Sequence, residues 1–110
     1  DSFNSKDLTT SIDWVQAQML SIQLIQHVEN STNIPFSRKE ESLQEGLYKH
    51  ILGLMKRVRS NVQIINPLKE TIQTHYQSIY QSIRGFTPHI ENVTGKEVTE
   101  DEIAYLTIHF

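Results

Sequence analysis

Apolar residues recur every three or four positions along most of this chain, and this spacing constrains the fold more than any other feature of the sequence. Between Ser37 and Asn61, a predicted helix places five of them within about 40° of one line down its surface. They are Leu43, Leu47, Ile51, Leu54 and Val58. A run over residues 8–29 predicts a first helix, and its apolar residues are Ile12, Val15, Met19, Ile22 and Ile25. No segment alternates with the two-residue period of a strand, so the sequence predicts an all-α fold.

Helix-start and helix-end signals divide the chain into about five helices. The turn at residues 30–35 ends the first helix, because its proline biases the preceding residue away from helical geometry. Two capping boxes follow. In each, a hydroxyl accepts a hydrogen bond from the amide three residues later, and the carboxylate of that later residue accepts one from the amide of the first. Ser37 with Glu40 predicts the start of the second helix, and Thr99 with Glu102 predicts the start of the last.

The middle of the chain carries the other boundary signals. Asn66 and Pro67 predict the start of a third helix, with Asn66 as N-cap and Pro67 at the first helical position. Further on, Gly85 and Pro88 interrupt the pattern, and a proline inside a helix removes a backbone hydrogen bond. We therefore expect a fourth helix that is kinked or broken near Pro88 and closed by Gly95.

The length of 110 residues fits one domain with a modest core. Residues 1–7 are polar and are expected to form a flexible segment, and residues 8–110 to form the single domain. Hydrophobic residues make up only 37% of the chain, which suggests burial against a second copy. No apolar run approaches the ~18 residues of a membrane span, and the N-terminus lacks the pattern of a secretory signal, so we expect a cytoplasmic protein.

Composition and motifs argue against several classes of function. The net charge of −3 and the scattered basic residues argue against direct nucleic acid contact by this domain. The absence of cysteine removes disulfides, thiol catalysis and zinc–thiolate sites. Neither a Gly-x-Ser-x-Gly turn nor a glycine-rich phosphate loop occurs. Acidic residues favour a helix start, so we interpret Glu102 as a helix-start residue and predict no catalytic or cofactor site.

Two histidines lie on the flanks of predicted helices, each with a charged residue seven positions away. His50 and Arg57 lie about 60° and 80° to the same side of the apolar line of the second helix. His109 and Glu102 lie together, roughly 100–120° from the apolar face of the last helix. A neutral imidazole can act as a base, bind a metal or accept a phosphoryl group. The five histidines stand at positions 27, 50, 75, 89 and 109, and no two are one helical turn apart, which is weak support for a metal site.

These residues also resemble the motifs of a known family. The segment Leu47–Arg57 is similar to the His-x6-Arg helix of the phosphotransferase-system regulation domain, or PRD. The closing segment EDEIAYLTIHF, residues 100–110, is similar to the end motif of that domain. The middle segment of the domain is matched by Asn66-Pro67-Leu68, Tyr76 and Tyr80. The resemblance covers residues 15–110.

The resemblance implies a compact bundle of about five helices that often dimerises. In such domains, the histidines that match His50 and His109 are phosphorylated by the phosphocarrier HPr or a sugar-specific enzyme IIB. Their phosphorylation state then controls antitermination or transcription activation by other domains of the regulator. Arg57 would support a phosphate on His50, whereas a phosphate on His109 would be repelled by Glu102. We therefore expect opposite local effects: ordering at His50 and loosening of the last helix at His109.

Two other interpretations stay open. The chain can be a purely structural helical dimerisation module, in which the histidines are ordinary interface or surface residues. It can also be a metal-dependent enzyme, if the histidines converge on a cation in the folded chain.

Overall fold

Five helices account for most of the structure, a computed structural model that describes residues 11–36 and 40–110. They are α1 Ser11–Thr32, α2 Glu40–Arg59, α3 Lys69–His75, α4 Gln77–Thr94 and α5 Glu100–Thr107. The described residues contain no strand, which confirms the predicted all-α fold of five helices. The predicted flexible segment 1–7 and the Ser37 capping position lie outside the described residues.

The helices form a bundle with its core between α1, α2, α4 and α5. Helix α1 packs against α2 and α4, and α5 packs against α2, α3 and α4. The predicted apolar line of α2 faces this core: its first four residues are buried and Val58 is half-buried. Because α2 and α5 are in contact, side chains along the edge of α2 can reach those of α5.

Helix α1 is apolar on two opposite sides. The residues that predicted it mostly face outward, since Ile12, Val15, Met19 and Ile22 expose between 41% and 66% of their surface. Its buried side consists of Asp13, Ala17, Leu20, Ser21, Leu24, Ile25 and Val28. Asp13 forms a two-point ion pair with Arg59 at the end of α2, which holds this side of α1 inward. Apolar periodicity predicts the helix but does not select the side that packs.

The third helix begins later than predicted. Its N-cap is Leu68, not Asn66, and Pro67 lies in the turn before the helix. The Asn66 side chain accepts a hydrogen bond from the Leu68 amide at 2.9 Å, and its carbonyl accepts one from Lys69 at 3.0 Å. Asn66 thus forms a side-chain-stabilised turn that leads into α3.

Of the kink or break predicted near Pro88, the break is wrong, because α4 continues through Pro88 from Gln77 to Thr94. Pro88 has no amide to donate to the carbonyl of Arg84, one turn earlier. The Thr87 hydroxyl donates to that carbonyl instead, at 2.8 Å, so the acceptor remains paired. The division between α3 and α4 falls at Tyr76, whose backbone leaves helical geometry with φ −124° and ψ 44°.

The end of α4 and the start of α5 follow the sequence prediction more closely. Gly95 closes α4 in the left-handed conformation, with φ 75°, which glycine adopts without strain. The Thr99 side chain accepts a hydrogen bond from the Glu102 amide at 3.3 Å, as one half of a capping box requires. In the described part of the chain, no helix is long and apolar enough to cross a bilayer.

Candidate functional site

Helices α2 and α5 bring together four polar side chains that the sequence places in two distant groups. His50 and Arg57 lie on the edge of α2, and Glu102 and His109 belong to α5 and the residues after it. The structure joins them into one cluster through the contacts described below. We call His50, Arg57, Glu102 and His109 the histidine cluster.

An ion pair between Arg57 and Glu102 forms the centre of the cluster. Nε of Arg57 donates to Oε2 of Glu102 and Nη2 donates to Oε1, both at 2.8 Å. This is the fork geometry that matches a guanidinium to a carboxylate. The Glu102 side chain is only 7% exposed, so the pair is shielded from screening by salt. It fastens α5 to the last turns of α2.

Burial alone would raise the pKa of Glu102. Hydrogen bonds from His50 and Arg57, together with the positive charge of Arg57, outweigh burial and hold this pKa below its ordinary value. Glu102 is therefore ionised at neutral pH and can only accept hydrogen bonds.

His50 makes the third contact with this carboxylate. Its Nε2 lies 3.2 Å from Oε1 of Glu102, and Nη2 of Arg57 lies 3.5 Å from the same ring nitrogen. Since the carboxylate can only accept, Nε2 carries the proton of the neutral ring and the lone pair lies on Nδ1. Glu102 thus fixes both the orientation and the tautomer of His50.

His109 completes the cluster by ring contact. The imidazole rings of His50 and His109 meet edge to face, with centroids 5.4 Å apart. Partial desolvation, and then the charge of protonated His50, lower the pKa of His109. A larger share of His109 rings is therefore neutral at pH 7 than in an isolated histidine, which favours nucleophilic behaviour.

Two glycines of α2 make room for the cluster. A methyl group built on Gly46 would lie 3.0 Å from Nδ1 of His109. One built on Gly53 would lie 3.3 Å from Nη1 of Arg57. Each glycine costs an exposed helix about 1 kcal/mol relative to alanine. The close approach of the His109 ring explains why α2 accommodates a glycine at position 46.

The acidic start of α5 does more than begin a helix. Each of its three carboxylates contacts a different part of the fold. Glu100 accepts from Arg84 on α4 at 2.7 Å, and Asp101 accepts from the Asn66 amide at 2.9 Å. Glu102 contacts α2. The interpretation of Glu102 as a helix-start residue alone is therefore wrong: its amide caps the helix, but its carboxylate belongs to the histidine cluster.

The cluster was partly predictable. The sequence marked His50, Arg57 and His109 as candidates, and the structure brings all three together. It placed Glu102 next to His109, whereas the carboxylate contacts His50 and Arg57. Nothing in the sequence separates Glu102 from its acidic neighbours, because only the packing of α5 on α2 decides which carboxylate reaches Arg57.

Other histidines lie away from the cluster. His27 and His89 both contact the ring of Phe86, with centroids at 5.5 Å and 4.9 Å. His75 ends α3. Among the residues that the structure describes, no group of three or more histidine, aspartate or glutamate side chains has the arrangement of a metal site.

Comparison with known proteins identifies the family of the chain. The family model of the PRD domain matches residues 22–110, which include the whole cluster. The chain belongs to the PRD family. A PRD is a regulatory domain and not an enzyme, and the relatives of this chain are named as regulators.

Two relatives come from Bacillus subtilis (strain 168). The probable licABCH operon regulator is 29% identical over 97 residues, which are 86% of this chain and 15% of that protein. The transcriptional regulator ManR is 28% identical over 72 residues, 66% of this chain and 11% of that protein. The PRD described here therefore spans only a small part of the relatives it matches. No solved structure gives a significant match.

Proposed function

We propose that this PRD is a phosphoryl acceptor that regulates a bacterial sugar-operon transcription regulator or antiterminator. His50 and His109 are the proposed acceptors. The observation that carries the proposal is their ring contact at 5.4 Å, which joins two histidines 59 positions apart in the sequence into one site. Ordinary surface histidines do not require a buried carboxylate, an arginine and a helix glycine arranged around them.

The transfer uses the lone pair that Glu102 leaves on Nδ1 of His50. Nδ1 attacks the phosphorus, and a nitrogen–phosphorus bond forms as the bond between phosphorus and the donor side chain breaks. The electron pair of the broken bond returns to the donor, which takes up one proton. Nε2 of His50 gives up one proton by way of the Glu102 carboxylate. The product ring is neutral apart from its phosphoryl group, so atoms and charges balance.

The proposed donors are HPr, a sugar-specific enzyme IIB, or both. Arg57 is the proposed support for the phosphate: its Nη2 lies 3.5 Å from Nε2 of His50, and it would have to turn away from Glu102 to reach a phosphoryl group on Nδ1. A phosphoryl group carries up to two negative charges and competes with Glu102 for this guanidinium. In place of the ordering at His50 expected from the sequence, we propose that phosphorylation of His50 weakens the Arg57–Glu102 pair and loosens the contact between α2 and α5, because Arg57 is already paired with Glu102.

Self-association is the proposed output of that change, and α1 offers a surface for it. Residues 14–26 carry no charge, so a second copy meets no like-charge repulsion there. The exposed residues Ile12, Val15, Met19 and Ile22 follow the 3–4–3 spacing of a helix seam. In an antiparallel pair, Ile12 faces Ile22 of the other copy and Val15 faces Met19. The proposal is a homodimer through this side of α1.

The domain is proposed to span residues 8–110, after a flexible segment at 1–7, and to work in the cytoplasm without direct contact to nucleic acid. Nucleic acid binding would then belong to other parts of the longer regulators that this chain resembles.

Labelling with radioactive phosphoenolpyruvate, enzyme I and HPr tests the proposal. We expect an acid-labile, alkali-stable label that falls in His50→Ala and in His109→Ala. His75→Ala is the matched control, since His75 is an exposed histidine on α3, outside the cluster. Nitrogen-15 NMR of the labelled chain should show the phosphoryl group of His50 on Nδ1. A chain that no phosphotransferase-system protein labels would refute the proposal.

The alternative is a purely structural dimerisation module. It predicts that the His50→Ala, His109→Ala double variant keeps the regulation of a full-length regulator. Loss of sugar-dependent regulation in that variant, with the dimer intact, would refute this alternative.

A further inference from the structure

The segment between α2 and α3 exposes apolar side chains beside the histidine cluster. Residues 60–68, here called the apolar loop, contain no charged residue in a chain that is 21% charged. Ile65 is 78% exposed, more than any other large hydrophobic residue that the structure describes. Val62 and Leu68 are 52% and 59% exposed. Three such side chains lie within nine residues, and exposed apolar side chains concentrated in this way are typical of surfaces that contact other proteins.

The backbone of the apolar loop is held in place at several points. The Val62 amide donates to the carbonyl of Arg57 at 2.9 Å. The Asn66 amide donates to Asp101 of α5 at 2.9 Å, and the Asn66 side chain accepts from the Leu68 amide. A partner that covers this patch therefore orders little additional chain, and less binding free energy is lost to conformational entropy.

Tyr105 connects the apolar loop to the histidine cluster. Its hydroxyl donates to the carbonyl of Ile65 at 3.3 Å. Its ring lies beside that of His50, with centroids 6.0 Å apart. One aromatic side chain thus spans the distance from the most exposed apolar residue to the proposed acceptor ring.

We propose that the apolar loop is the docking surface for the protein that donates phosphoryl groups to His50. This inference rests on the proposed phosphoryl-acceptor function. The donor must bring its phosphorus into bonding distance of the His50 ring, so its surface necessarily covers the residues around that ring. The apolar side chains of Val62, Ile65 and Leu68 fit a donor whose phosphoryl-bearing side chain is rimmed by uncharged, apolar residues, since charged groups placed against them would lose water without gaining a partner.

A second copy of the chain is the less suitable occupant of this loop. The uncharged side of α1 provides a longer, regularly spaced apolar surface, and within the described residues the backbone of α1 does not approach that of α5. Docking and self-association therefore use different surfaces, and substitutions can separate them.

The test compares a protein donor with a small-molecule donor. In a His109→Ala background, which restricts labelling to His50, initial rates are measured with phospho-HPr over a range of concentrations and with phosphoramidate. Phosphoramidate transfers phosphoryl groups without needing a protein surface. We expect Ile65→Ser to lower kcat/KM for phospho-HPr about tenfold, chiefly through KM, as loss of an interface anchor does. The rate with phosphoramidate should stay unchanged.

Ile34→Ser is the matched control, because Ile34 is 39% exposed but lies in the turn after α1, outside the apolar loop and the proposed dimer surface. It should leave transfer from phospho-HPr unaltered. Unchanged kcat/KM in Ile65→Ser, an equal loss in Ile34→Ser, or a parallel loss with phosphoramidate would each overturn the docking proposal. If the unsubstituted chain accepts phosphate from no phosphotransferase-system protein and not from phosphoramidate, the phosphoryl-acceptor function itself fails.

Discussion

Arg57 and Glu102, 45 positions apart, form a two-point ion pair in which both nitrogen–oxygen distances are 2.8 Å. The same carboxylate contacts Nε2 of His50 at 3.2 Å. One buried side chain therefore fastens α5 to α2 and fixes the tautomer of the proposed acceptor. This double role connects the stability of the domain to the chemistry of its histidine.

Removing the charge of Glu102 should destabilise the fold. Glu102→Gln leaves the half-buried Arg57 without its carboxylate, which costs about 2–3 kcal/mol. Urea denaturation followed by circular dichroism measures the free energy of unfolding. Glu97→Gln serves as the control, because Glu97 is exposed. Equal stability of the two variants would contradict a structural role for the ion pair.

The stability of the domain should fall at acid pH because of the same residue. The pKa of Glu102 lies below its ordinary value of 4.5 in the folded chain, so the unfolded state binds the proton more readily. The contribution is fully present above about pH 4.5 and is lost as pH falls through the folded pKa. Unfolding free energies measured from pH 6 to pH 3 should decline more steeply for the unsubstituted chain than for Glu102→Gln. Parallel curves would contradict the lowered pKa.

His109 should titrate below the ordinary histidine value of 6.5. Desolvation lowers its pKa first, and the charge of His50 lowers it further. NMR titration of the ring protons gives the pKa directly. In His50→Ala, we expect the pKa of His109 to rise part of the way back, because the neighbouring charge is gone. An unchanged pKa in that variant would mean that the two rings do not interact.

Gly46→Ala tests whether the glycine is needed to leave room for the His109 ring. Alanine favours a helix by about 1 kcal/mol over glycine, but the added methyl group lies 3.0 Å from Nδ1 of His109. We expect less stabilisation than from Gly85→Ala, where the nearest side-chain atom is 3.6 Å away. Urea denaturation compares the two variants.

The same Gly46→Ala variant should also shift the NMR signals of the His109 ring and lower its labelling, while labelling of His50 persists. Full stabilisation of Gly46→Ala, with unchanged His109 signals, would show that the glycine does not position the ring.

The histidine cluster and α4 show which features can be predicted from residues close together in the sequence. Capping rules correctly predicted Thr99 as the N-cap of α5. They succeed here because the Thr99 hydroxyl accepts its hydrogen bond from an amide only three residues away. They gave an incomplete account of Glu102, because its carboxylate has a partner on another helix. Likewise, Pro88 was expected to kink or break α4, but the helix is not broken, and a hydroxyl on the residue before Pro88 satisfies the unpaired carbonyl.

The sequence by itself determined the number and order of the helices, the core side of α2 and the candidacy of His50, Arg57 and His109, because these depend on spacing and motifs within single segments of the chain. The tertiary structure decided which side of α1 packs, which acidic residue meets Arg57, and that His50 and His109 share one site. Those choices depend on contacts between residues 45 to 59 positions apart, and a helical period repeated within each segment carries no information about the distance or rotation between segments.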